Sequence, residues 1–266
     1  MGLTEQIFET LLLLRPWDID LLKVRVGHER DGGYIMADKF DISDTVISIG
    51  INKESSFDRD MAKLGKRIFQ YDHTIDAPPE KYENAQWFKL GLGPQDDLAD
   101  KMISLASIVR DAGLKKNQGI LKMDIENAEW DVFSAVAPET LSAFSQISME
   151  IHRLERLTDN DHRKKVKASL SKVNEQFTLF HVHANNCSKM TRVDSFFTPE
   201  CLEVSYIKTD LVNRAPSKTL YPTEIDRPNN PRNPEYYLWM FPYLPSDLSD
   251  VIMRRSLRQT ESFWGQ

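Results

Sequence analysis

The sequence predicts an α/β fold, a mostly parallel sheet with helices on both faces, and three observations carry that expectation. Seven short apolar runs recur at regular intervals, and most of them are separated by helical patterns. The last two runs lie close together without a long helix between them, which permits an antiparallel pair at the sheet edge.

In chain order, Ile7, Leu11 and Leu14 mark an opening amphipathic helix, with Thr4 placed to cap it and Pro16 to stop it. The segment Arg30-Asp31-Gly32-Gly33-Tyr34 must turn at its glycine pair. Strand-like runs follow at 45–49 (TVISI), 67–71 (RIFQY), 87–90 (WFKL), 119–123 (GILKM), 146–151 (QISMEI), 177–182 (FTLFHV) and 202–207 (LEVSYI). Between the first two, Phe57, Met61 and Leu64 fall on one helical face, with Ser55 and Asp58 as a capping pair. Further helical patterns cover 98–112, 128–136 and the series Val166, Leu170, Val173. Past Asp210, seven of the 13 prolines fall between Pro216 and Pro245, which reads as a covering loop, either a surface connector or a lid. The expected division is 1–40 as a helix and covering segment, 41–212 as the core, and 213–266 as a proline-rich lid and tail.

Composition narrows the function. Forty acidic against 34 basic residues give the chain of 266 a formal charge of −6, which disfavours a nucleic-acid or anionic-membrane binder. With 41% hydrophobic residues it can bury a sizeable core, and its longest aliphatic run, Leu11 to Leu14, is far too short to span a membrane. Glu5 and Glu9 precede that run with no Lys or Arg before Arg15, the wrong charge order for a secretory signal. Cys187 and Cys201 are too few for a disulfide framework and lack zinc-site spacing, so a reduced cytoplasmic setting is expected. The clusters Arg163-Lys164-Lys165 and Arg254-Arg255 read as solvated faces, and His28 and His162 as surface residues.

In an open α/β sheet, ligands sit beyond the carboxyl ends of the strands, so the residues that end each run matter most. The first run ends in Ser48-Ile49-Gly50-Ile51-Asn52, with one glycine where a dinucleotide fingerprint would supply three, and no phosphate-cradling loop occurs elsewhere. The second ends in Tyr71-Asp72-His73, a carboxylate 22 residues after Gly50, a spacing that suits hydrogen bonds from a ribose diol. A nucleoside without phosphates reconciles the two, and S-adenosylmethionine is the obvious candidate. The fourth ends in Asp124-Ile125-Glu126-Asn127-Ala128-Glu129-Trp130, where extended backbone would put Asp124 and Glu126 on one side.

These blocks, with residues 25–34, 149–152, 181–186 and 202–206, give the chain a resemblance to the FkbM-type family of S-adenosylmethionine-dependent methyltransferases over about residues 15–210. One position departs: Asn127 stands where the family usually has glycine, so the turn after Glu126 is expected to be adapted. The resemblance implies a Rossmann-like class I methyltransferase sandwich with a seven-stranded sheet whose last strand is antiparallel. It also implies O-methylation of a hydroxyl on a carbohydrate, a surface-glycan precursor or a similar small molecule. Gly50, Asn52, Asp72, His73, Asp124, Gly33 and Tyr34 are then the cofactor-side candidates.

A hydroxyl attacks poorly while it keeps its proton, so the acceptor side calls for a base or a metal. His152 and His183 are candidate bases, with Asp124 and Glu150 beside them; Asp124, Glu150 and His152 also form an N/O set for a divalent ion. His181 and His183, two apart on one strand, share a face, and all three histidines can equally be structural. Two other classes stay open: a metal-dependent hydrolase using Asp72, Asp124, His152 and His183, and a non-catalytic glycan- or partner-binding protein on the same fold. The partners expected are a small-molecule or glycan acceptor, no nucleic acid and no membrane span, with a homodimer among the options. The aromatics of residues 239–243 suit stacking on a sugar face or completing a core.

Overall fold

Helix α1 (Leu3–Leu12) opens the computed structural model, which describes residues 2–248. Arg254-Arg255 and the end of the 213–266 segment lie outside the described residues. The central sheet contains seven strands, numbered here in chain order: β1 (Thr45–Ile49), β2 (Arg67–Tyr71), β3 (Ala85–Phe88), β4 (Gly119–Met123), β5 (Phe144–His152), β6 (Phe177–Ala184) and β7 (Cys201–Lys208). Their spatial order is β3-β2-β1-β4-β5-β7-β6, with β1 to β5 parallel and β7 antiparallel to both β5 and β6. This is the Rossmann-like, seven-stranded and mostly parallel arrangement with an antiparallel strand that the sequence leads one to expect.

Strands β1 and β4 are buried at every position, as expected of central parallel strands covered on both faces. Their alternation sorts side chains into two layers. Val46 and Ile120 pack with Phe57 and Met61 of α2 (Ser56–Lys63), whereas Ile47, Ile49, Leu121 and Met123 join the larger cluster with Trp130 and Phe133 of α4 (Glu129–Ala135). Phe57 and Phe133 are each 1% exposed, and truncating either to alanine would cost roughly 3–5 kcal/mol. The larger cluster also takes Ile7, Leu11 and Leu14 from the N-terminal segment and Tyr221, Leu238 and Tyr243 from the proline-rich tail, so both flanks pack on the core.

Several local expectations are corrected. Gly2, not Thr4, is the N-cap of α1, and the Thr4 hydroxyl donates to Asp194. Ser55 makes no capping bond, and Asp58 is buried, where it accepts from Gln70. Leu64 is exposed because α2 ends at Lys63. The helical reading over 98–112 holds only for α3 (Leu105–Asp111), because Met102–Ser104 pairs in parallel with Gly91–Gly93. Strand β3 begins two residues before the expected run. Arg163, on α5 (Asn160–Asn174), is buried with its guanidinium on Leu157 and Thr158 carbonyls, not part of a solvated face.

Short two-stranded ribbons were not visible in the sequence: Lys23–Val26 with Tyr34–Ala37, Met190–Val193 with Phe196–Pro199, and Trp17–Ile19 with Arg214–Pro216. The last one makes part of the tail a sheet element after all. Residues 229–230 of the tail are tied across the sheet end: Asn186 and Asn230 exchange side-chain and backbone hydrogen bonds, and Asp31 donates its backbone N–H to Asn229.

Candidate functional site

Strand order reverses between β1 and β4, and at such a switch point the strand ends diverge and leave a crevice. Ile49 pairs with Met123, so Gly50 and Asp124 leave the sheet side by side. Asp124 donates its N–H to the Ile49 carbonyl at 3.0 Å, Gly50 donates to the Tyr71 carbonyl at 3.0 Å, and Lys122 Nζ donates to the Gly50 carbonyl at 2.6 Å. Gly50 has φ +75°, and a Cβ there would lie 1.6 Å from the Asp124 carbonyl oxygen, so only glycine fits. After Asp124 the chain turns through Glu126 (φ 50°) and Asn127 (φ 84°). Asparagine tolerates this left-handed conformation, which explains how it serves where glycine was expected. Asp124 and Glu126 are therefore not both extended, yet they line the same space.

Three cavities meet there. One of about 390 Å³ runs over Gly50, Asp72, His73, Leu92, Met102 and Ile125. A second, of about 210 Å³, lies among Tyr34, Lys53, Lys122 and Asp31. The third, of about 250 Å³, is lined by Glu150, His152, Asn185, Cys187 and Cys201. Asp124 and Glu126 border all three.

Asp72 is wholly engaged. Its Oδ2 accepts the N–H groups of Ile51 (2.9 Å) and Asn52 (2.8 Å), and its Oδ1 accepts the N–H (2.7 Å) and hydroxyl (2.6 Å) of Thr74. Burial opposes its charge, but these donors hold the carboxyl below its usual range. Its role in the structure is to fasten the loop after β1 to the end of β2.

The third cavity is dominated by carboxylates. Burial, then the nearby Glu150 charge, pushes Asp124 up to about 6. Burial likewise raises Glu150, despite its hydrogen bond with His152. His152 is held by Glu129, whose Oε1 accepts its backbone N–H at 2.5 Å and lies 3.2 Å from Nδ1; Nε2 is 3.5 Å from Glu150 and 3.7 Å from Glu126. Burial alone would push this imidazole down, but Glu129 and Glu150 overcome it and push it up to about 10. At neutral pH His152 is an imidazolium.

The structure brings Gly50, Asn52, Asp72, His73, Tyr34, Asp124, Glu150 and His152 to one rim. It does not bring Gly33 there: its neighbours Gly32 and Tyr34 line the second cavity, whereas a Cβ on Gly33 would meet the His28 carbonyl and Arg25. Nor does His183 line any of the three. It is 1% exposed, 2.9 Å from Glu203 and 3.3 Å from Glu235 of the tail; burial pulls it down, but the Glu203 charge and hydrogen bond push it up to about 10. His181, on the same face, is 2.8 Å from Asp226 of the tail. The shared face is real, and it holds the tail. Asp31, Lys122, Glu129 and Asn185 were not singled out as site residues; all four fall within the motif blocks, but what they touch depends on pairing between distant segments.

Oxygen and nitrogen atoms of Asp124, Glu126 and His152 lie within 4.8 Å of one another, as do ligand atoms of Glu150, His152 and Cys201. His152 Nδ1 is turned to Glu129 and Nε2 to Glu150 and Glu126, so a divalent ion held by this set would displace the ring proton that these carboxylates favour.

A scan against family models matches none, and a search of curated proteins finds no match. Similar solved structures include a fibrillarin/Nop5p complex, 8% identical over 62% of this chain and 73% of that one, TM-score 0.37. A TehB-like SAM-dependent methyltransferase from Corynebacterium glutamicum is 12% identical over 63% and 81%, TM-score 0.35. A precorrin-6y C5,15-methyltransferase from Geobacter metallireducens is 12% identical over 62% and 82%, TM-score 0.33. Likenesses of this size carry no argument about chemistry.

Proposed function

We propose that this chain is an S-adenosylmethionine-dependent methyltransferase acting on a small polar acceptor. The observation that carries this reading is the meeting of three cavities around Asp124 and Glu126 at the switch point between β1 and β4. The largest suits the adenosyl group: Leu92, Met102 and Ile125 offer apolar contact, while Asn52 and His73 stand where ribose hydroxyls need partners. Asp72 serves by holding that loop, because all its hydrogen-bonding capacity is spent on Ile51, Asn52 and Thr74. Lys53 and Lys122 in the second cavity suit the methionyl carboxylate. The sulfonium methyl then points toward the third cavity, from which an acceptor attacks in line, with positioning supplying much of the rate.

A carbohydrate hydroxyl, the acceptor that the family resemblance implies, suits the size and polarity of the third cavity. Neither histidine is free to take its proton, however, since both are held as imidazolium. Asp124, pushed up to about 6, is the better-placed base.

Thermal denaturation with S-adenosylhomocysteine tests the cofactor reading, because a ligand at 100 times its Kd stabilises the native state by about 2.7 kcal/mol. An unchanged midpoint at millimolar ligand overturns it. In that case, chelator-sensitive phosphatase or esterase activity would move the assignment to a metal-dependent hydrolase.

A further inference from the structure

We infer that Arg25 and Asn229 are positioning residues for the methionyl end of the cofactor, because between them they hold the loop that walls the second cavity; this rests on the cofactor reading proposed above. The loop, residues 27–33, joins Lys23–Val26 to Tyr34–Ala37. Asp31 and Gly32 of the loop and Tyr34 beyond it line the second cavity, whereas no residue from 27 to 34 lines the first. Whatever fixes this loop therefore acts on the methionyl end and not on the adenosyl end.

The carbonyls of a loop have no sheet partner, so the loop keeps one shape only where other donors hold them. Arg25 supplies two such donors: Nε donates to the His28 carbonyl at 2.8 Å, and Nη2 donates to the Arg30 carbonyl at 2.8 Å. The chain closes tightly on this guanidinium, since a Cβ on Gly33 would lie 2.6 Å from Nη2. A guanidinium presents its donors in a fixed planar fork; a lysine ammonium, one nitrogen on a flexible stem, does not reproduce that bridge.

The tail holds the same loop through a buried residue. Asn229, 5% exposed, accepts the Asp31 N–H on its carbonyl at 3.3 Å, and its side-chain amide donates to the Asp31 carboxylate at 3.3 Å. That amide also donates to Glu203 of β7, which ties the loop to the central sheet. The ion pair between Glu29 and Arg227 joins the same two segments, but both side chains are exposed and such pairs contribute little. A wall ordered before the ligand arrives spares the ligand the cost of ordering it. Releasing the loop should weaken contacts with the methionyl end and leave those with the adenosyl end intact.

The test is calorimetric titration of the full chain with S-adenosylhomocysteine and with methylthioadenosine, which keeps the adenosyl group and sulfur but lacks the amino-acid end. Wild type should bind S-adenosylhomocysteine about tenfold more tightly than methylthioadenosine, or better. Arg25→Lys should weaken S-adenosylhomocysteine about tenfold and Asn229→Ala about fivefold, with methylthioadenosine within about twofold of wild type in both. Glu29→Ala should leave both ligands within about twofold. Urea denaturation identifies a variant that does not fold; should Arg25→Lys be one, Asn229→Ala reads the same wall from the tail. Equal weakening of the two ligands, no weakening of either, or an equal loss in Glu29→Ala overturns the inference and leaves the cofactor reading standing, as does wild-type binding of S-adenosylhomocysteine no tighter than that of methylthioadenosine. Absence of binding of either ligand to wild type overturns both.

Discussion

Gly50 and Asp124 stand so close that a single added Cβ on Gly50 would lie 1.6 Å from the Asp124 carbonyl oxygen. The contact joins the ends of β1 and β4 where the strand order reverses, so the same two residues close the sheet and open the crevice. Gly50→Ala meets both that overlap and a left-handed φ of +75°. We expect a loss of roughly 2–4 kcal/mol in urea denaturation and no S-adenosylhomocysteine binding. Wild-type stability in this variant would contradict the contact.

Asp124 ionises at a cost. Burial, followed by the Glu150 charge, raises its folded value to about 6 from an ordinary 3.8. Below the ordinary value both folded and unfolded chains hold the proton, and no penalty arises. As pH rises through about 6 the folded chain must accept a second buried charge, and stability falls. Asp124→Asn should therefore be more stable than wild type at pH 8, by roughly 1–3 kcal/mol, and equal to it near pH 3.5. Denaturant midpoints at the two pH values check this, and a pH-independent difference would contradict it.

His152 runs in the opposite sense. Burial disfavours its charge, but Glu129 and Glu150 raise it to about 10 from 6.5. Its contribution to stability is complete below about 6.5 and is lost as pH rises through about 10. NMR of the ring protons should find no titration between pH 6 and 8. Glu129→Gln should bring the midpoint down by at least one unit.

Asp72 acts on the cofactor through the loop it fastens. Asp72→Ala removes the acceptor for Ile51, Asn52 and Thr74. S-adenosylhomocysteine affinity should fall tenfold or more, while the acceptor KM changes little. Unaltered affinity would show that the loop holds its shape without the carboxylate.

His183 should report on folding, not on turnover. His183→Ala leaves Glu203 buried beside an empty space, and losing one member of such a pair costs about 3–5 kcal/mol. His183→Ala should be strongly destabilised, with kcat of the remaining folded fraction near wild type. Loss of kcat with intact stability would return His183 to the catalytic set.

The amino-acid sequence by itself determined the seven strands and their direction. A buried strand announces itself locally, as TVISI and GILKM do, and the missing helix before β7 permits the antiparallel pair found at the sheet edge. It also placed Gly50, Asp72 and Asp124 at strand ends, since a ligand rim follows from topology. Tertiary structure alone decided the roles. His152 and His183 are both histidines at or near strand ends, yet one borders a cavity and the other lies under Glu235, 52 residues further along the chain. Charge state and hydrogen-bond satisfaction depend on neighbours that distant segments supply, such as Glu129 for His152 and the Ile51 and Asn52 donors for Asp72. No local pattern of residues encodes them.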